Sequence, residues 1–201
     1  MESDSVFKGA LVELRRTLKE RGFSAKGTTF YRKAADGNTV VLSMQRSVKS
    51  TPAETKVTIN YGVYSARIGR KLQEDASSAR DVSKVHWRKR LAEGGKEKWL
   101  DVKFTDSPDD SARVILGALE GILGELAEHS SDEALRSDWL LGRSPGCTSM
   151  QRLVFLAILL SEIGPSERLE DVVKKLRSKV AGSVHEGLVE RQLATAGVKV
   201  P

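Results

Sequence analysis

Eight side chains in the first half of the chain are of types that hold other molecules: Tyr31, Gln45, Asn60, Tyr64, His86, Arg88, Arg90 and Trp99. If the segments carrying them are strands, alternation sets them on one side of a sheet, opposite a ridge of Val57, Ile59, Tyr61 and Val63. A surface that mixes aromatic rings, amides and arginines suits an acidic peptide or a nucleic acid strand, since bases stack on rings while Arg and Lys follow phosphates. The plainer alternative is a half-polar sheet face whose groups satisfy each other, or solvent, beneath the C-terminal helices.

Catalytic groupings are sparse. His86 with Asp101 and Tyr31 would make an acid–base set, but spacing alone does not bring them together. His86, His129 and His185 have no metal-ligand spacing with another His, Cys or carboxylate. Cys147 just precedes a helical pattern, where the helix dipole would favour a thiolate. A small residue at a buried helix start is the plainer reading. There is no phosphate loop, dinucleotide fingerprint or nucleophile elbow. The expectation is therefore no catalytic residue, no metal and no cofactor.

Charge is unevenly spread. Residues 1–104 hold 22 Lys and Arg against 12 Asp and Glu, whereas residues 105–201 hold 11 against 15. His86-Trp87-Arg88-Lys89-Arg90, with Arg67, Arg70, Lys71, Arg80 and Lys84 upstream, is the most basic stretch, but Glu74, Asp75, Asp81 and Glu93 interrupt it. Such asymmetry fits an anionic partner for the first half, or two halves that face each other. A solvated loop would look the same.

The elements that must position these residues follow from periodicity. Phe7, Leu11, Leu14 and Leu18 repeat as one face of a helix over Asp4–Arg21, with Gly22 as its left-handed cap and Phe23 folding back on Leu18. The period then becomes two. Strands are expected at Lys26–Ala34, Thr39–Ser47, Thr55–Ser65, Val85–Ala92 and Lys98–Phe104, with turns at Asp36-Gly37-Asn38 and Glu93-Gly94-Gly95. Connections this short give an antiparallel meander. Residues 67–83 read as a long surface loop with room for one helical turn. From Ser107-Pro108 the helical period returns. Ile115, Leu119, Ile122 and Leu126 form one stripe of that helix, and Gly117, Gly121 and Gly124 form another that predicts a second helix packed very close. Shorter helices should follow near 131–141, 148–163, 166–180 and 184–196. The apolar run Leu153–Leu160 reads as a buried helix, with a partner interface as the alternative. It is too short to cross a bilayer, which needs about 20 residues.

The order Gly22-Phe23, Gly27-Thr28-Thr29-Phe30-Tyr31-Arg32, Gln45-Arg46-Ser47, Ile59-Asn60-Tyr61-Gly62-Val63-Tyr64, His86-Trp87-Arg88-Lys89-Arg90 and Trp99 resembles a bacterial family known as domain of unknown function 4304, over roughly residues 5–125. The chain departs from that pattern in having a single tryptophan, Trp99, where a pair is common. The resemblance implies an α+β domain of unassigned activity and brings no catalytic residues.

The expected fold class is thus α+β: an N-terminal helix, a meander of about five antiparallel strands, then a helical C-terminal half packed on it. Residues 1–128 would form the α+β domain and residues 129–201 a helical extension. The expected function is a non-enzymatic protein-interaction module, able to neutralise a partner protein. Nucleic-acid binding by the basic half is the alternative, and an unrecognised enzyme a further one. One cysteine and the acidic, polar start at Met1–Ser5 point to a cytoplasmic protein with no membrane partner. The residues leave the oligomeric state open.

Overall fold

The computed structural model describes residues 3–34 and 36–199; Met1, Glu2, Ala35, Val200 and Pro201 lie outside them. Helix α1, Ser3–Glu20, buries Val6, Phe7, Ala10, Leu11, Leu14 and Leu18 along one face. It ends as its sequence dictates. Gly22 takes φ +81°, its N–H donates to the Lys19 carbonyl (2.9 Å), and the Phe23 N–H donates to the Leu18 carbonyl (2.9 Å).

The strands β1 (Ser24–Lys26), β2 (Thr29–Lys33), β3 (Thr39–Arg46) and β4 (Glu54–Tyr64) form an antiparallel meander. The outer edge of β4 is shared by two strands. β5 (Trp87–Arg90) pairs with residues 60–63, and β8 (Leu100–Lys103) pairs with residues 54–57. Between them the chain leaves the sheet as a small hairpin, β6 (Ala92–Glu93) with β7 (Lys96–Glu97). The expected last hairpin is therefore one interrupted edge strand, with the Glu93–Gly95 turn at the tip of the excursion.

Helix α3, Pro108–Glu128, starts at the Ser107 cap and lies parallel to α1 across the ridge face of the sheet. The offset is constant: Gly9 meets Pro108 and Arg21 pairs with Glu120. The ridge of Val57, Ile59, Tyr61 and Val63 is buried beneath these helices together with Val40, Leu42 and Met44. Gly117, Gly121 and Gly124 do not pack under a second helix. They are exposed, and a Cβ at any of them would meet nothing within 4 Å. The helix that comes close to its neighbour without a side chain is α1, where a Cβ on Gly9 would sit 2.8 Å from Pro108.

The remaining helices are α2 (Ala66–Lys71), α4 (Asp132–Leu140), α5 (Ser149–Ser161), α6 (Glu167–Val180) and α7 (Glu186–Thr195). All eight residues of Leu153–Leu160 are buried, because α5 is wrapped by α2, α4, α6 and α7. Its buried side chains are continuous with those of the sheet. Among the described residues no helix is long and apolar enough to cross a membrane.

Candidate functional site

The eight candidate residues divide into three groups. Register confirms the alternation for the strand positions. Tyr31, Val41, Gly62 and Arg88 stand in one row, and Thr29, Ser43, Asn60 and Arg90 in the next. Gln45, opposite Thr58, and Tyr64, opposite Thr39, share that face.

One end of the face is roofed, and mostly not by the C-terminal half. Residues 67–83, expected as a surface loop, hold most of α2, which packs on α5, and a 3-10 turn, Ala76–Arg80, which lies over β2 and β3. Val41, Tyr64 and Val85 form a small second core here, with Tyr31, Ala79 and Val82 against it. The loop's apolar residues are few and widely spaced, so no helical or strand period betrayed their burial. Arg80 stacks over the Tyr31 ring at 4.8 Å.

His86 is 1% exposed, held between Tyr64 (4.6 Å between ring centres) and Phe155 of α5 (4.8 Å). The Ser65 N–H donates to its Nδ1 (3.0 Å), so Nε2 bears the proton of a neutral ring and points at Glu74 Oε1 (3.4 Å). Burial raises the Glu74 carboxyl, but the contact with His86 and the nearby Lys84 charge outweigh it and hold the group below its ordinary range. The partners of His86 are thus Glu74 and Tyr64. Asp101 pairs with Lys56 (2.9 Å) and Tyr31 lies under Arg80, so the Asp101–Tyr31 acid–base set does not assemble. With both ring nitrogens occupied and the ring enclosed, His86 here organises packing.

A cleft of about 470 Å³ opens beside it, bordered by Glu74, Lys84, Arg88 and Cys147. Cys147 donates its S–H to the His86 carbonyl (2.9 Å), and burial pushes its thiol up to about 11, with Arg88 pulling weakly the other way. Burial therefore prevails over the Arg88 charge. Alkylation of native protein at pH 8 is expected to run roughly 100-fold slower than in denaturant, in proportion to the thiolate present. Because the folded value lies above the ordinary 9.0, the thiol stabilises the fold fully below about pH 9, and that contribution is lost as pH rises through 11. Alkylation rates and a Tm–pH profile check both; equal rates in native and unfolded protein would refute the burial.

The other end of the face is open. Gln45, Asn60, Arg88 and Arg90 line a second cleft, of about 410 Å³, together with Val82, Ser83 and Lys89. Its arginines are held in place. Arg90 donates to Asn60 Oδ1 (2.8 Å), Gln45 Oε1 (3.2 Å) and Glu97 (2.9 Å), while Asn60 donates to Gln45 (2.9 Å). Arg88 donates to the carbonyls of Ser83 (2.6 Å) and Gly146 (3.0 Å). Trp99, half-buried between β7 and β8, does not line this cleft.

The charge asymmetry is partly consumed inside the molecule. Arg21 pairs with Glu120, Lys89 with Glu125, Arg67 with Asp132 and Glu162, and Lys71 with Glu162, so basic residues of the first half meet acidic residues of the second. Tyr61 also donates to Glu125 (2.6 Å), and burial with that contact raises the phenol.

Three further residues organise the site: Asn38, which the sequence places in a turn, and His129 and Asp132, to which it gives no role. His129 stacks on Trp87 (4.5 Å) and faces Asp138 (2.9 Å). Asn38 and Asp132, with Ser65, form a knot that ties the β2–β3 turn to the starts of α2 and α4. His185 stands exposed before α7 and makes no side-chain cap bond.

No curated protein matches the chain, and no solved structure matches it. A family model does match, over residues 14–129. That span runs from within α1 to the end of α3 and contains the whole sheet, its roof and all eight candidate side chains. It covers more than half of the 201 residues, and on that ground the chain belongs to the family described as Domain of unknown function (DUF4304).

Proposed function

We propose that the protein is a non-enzymatic interaction module that grips an acidic segment of another protein with the open end of its second sheet face. The observation that supports this is the contrast between the two ends. One is closed by the chain's own residues 67–83, while the other leaves Arg88 and Arg90 beside an uncovered cleft with no carboxylate among its lining residues. Arg90 is held by Asn60 and Gln45 before any partner arrives, so little side-chain entropy is lost on docking. A carboxylate of the partner would take the place of Glu97, itself largely exposed. The nucleic-acid alternative is weakened, because several of the cations it would use already face carboxylates across the molecule.

The test is capture by the immobilised protein from extract of its own cells, followed by a binding isotherm for the captured partner. Arg90→Glu should weaken binding at least tenfold, about 1.4 kcal/mol or more. Lys19→Glu, on exposed α1 surface, should not. Undiminished affinity in Arg90→Glu, with its fold intact by circular dichroism, would sink the docking surface.

A further inference from the structure

We propose that a third cleft, between the β2 edge and the 3-10 turn, binds the phosphate group of a small soluble molecule. The cleft measures about 460 Å³ and is independent of the docking surface above. Three cations border it. Arg32 donates to the Arg21 carbonyl (3.0 Å) and lies over Phe23 (4.8 Å); Lys33 donates to the Gly37 carbonyl (3.2 Å); Arg80 lies over Tyr31 (4.8 Å). Each is anchored, yet among the described residues none of the three has a carboxylate partner, and no acidic residue lines the cleft.

The second observation is a hydroxyl. Thr39 is 2% exposed, lines the same cleft, and its Oγ1 has no hydrogen-bond partner. Register puts it opposite Lys33, on the face that also carries Tyr31, and it lines the cleft beside Ala76, Ala79 and Arg80 of the 3-10 turn. A buried hydroxyl without a partner is uncommon in folded proteins and calls for a ligand or another explanation. A phosphate oxygen would accept its proton while the cations carry the charge. The volume exceeds that of a bare phosphate, and Tyr31 and Ala79 offer an apolar wall for the rest of the molecule.

Calorimetric titration with inorganic pyrophosphate, at ionic strength fixed with sodium chloride, tests the assignment. Binding should appear in the wild type and fall at least about tenfold in both Arg80→Ala and Thr39→Val. Thr39→Val preserves the shape of the side chain and removes only the unpartnered hydroxyl. Its Tm without ligand should therefore hold or rise, separating a ligand role from a folding defect. Absence of binding by the wild type overturns the proposal. So does affinity retained in Thr39→Val, whether or not Arg80→Ala loses it, because the hydroxyl would then have no part in the site.

Discussion

Alanine at Gly62 is expected to destabilise the protein by about 3 kcal/mol, whereas alanine at Gly117, Gly121 and Gly124 together is expected to stabilise it by about 2 kcal/mol. The signs differ because the glycines do different work. Gly62 lies mid-strand in β4, and a Cβ there would fall on the Trp87 carbonyl oxygen and within 2.5 Å of Val85 Cγ2. Val85 could rotate, but the carbonyl belongs to β5, whose Arg88 and Trp87 are paired with Gly62 and Val63. Relief requires β5 to move off β4, with loss of ladder bonds and of the packing of Trp87, which is fully buried. The α3 glycines have open space where their Cβ atoms would be, so alanine adds only helix propensity, about 0.5–1 kcal/mol each. For a chain of this size each kcal/mol moves Tm by about 2–4 °C. Thermal melts of the two variants should shift in opposite directions by about 5–10 °C; a triple variant that melts lower would mean that the glycine stripe is covered in solution after all.

That pair of glycine sites also marks where the sequence ceases to be readable. A stripe of three glycines on a helix and a lone glycine in a strand carry the same local message, absence of a side chain. Which of them answers to a neighbour depends on residues far along the chain. Local signals were sufficient where the cause is local. The Phe7–Leu18 stripe, the Gly22–Phe23 reversal, the Ser107–Pro108 start and the two-residue alternation of β3 and β4 all reappear in place. The shared face of Gln45, Asn60 and Arg90 follows from the same alternation. Roofing of Tyr31 and Tyr64 by residues 67–83 does not, because it is a tertiary contact made by a segment without periodicity. The division of the outer β4 edge between β5 and β8 is likewise a matter of register between distant segments.

Asn38 is the site where a single substitution should cost most. In sequence it closes a tight turn; in the fold it is fully buried and joins three parts of the chain. Its Oδ1 accepts from the Ala66 N–H (2.9 Å), at the first turn of α2. Its Nδ2 donates toward the Ser130 carbonyl (3.0 Å) and the carboxylates of Asp132 (3.1 Å) and Asp36 (3.3 Å). Asp132 also accepts from Ser65 (2.7 Å) and Arg67 (3.0 Å), so the amide is the neutral donor around which two acids are gathered. Asn38→Ala leaves the Ala66 N–H and the Ser130 carbonyl without these partners and should cost about 3 kcal/mol. Asn38→Asp keeps the size but puts a third acid among two, with acceptors where donors stood, and should cost about 4–5 kcal/mol at pH 7. The two variants separate by pH. Like charges raise the new carboxyl above its ordinary value of about 3.9 in the folded state. Its penalty is therefore full at neutral pH and shrinks as pH falls toward and through that raised value, when the group takes up a proton and can donate again. Asn38→Ala gains nothing from the change. Urea denaturation of both variants at pH 7 and pH 5 should show the gap to wild type narrowing in Asn38→Asp alone; equal narrowing in both, or a cost below 1 kcal/mol in either, would remove Asn38 from the centre of the knot that carries α4 to the sheet.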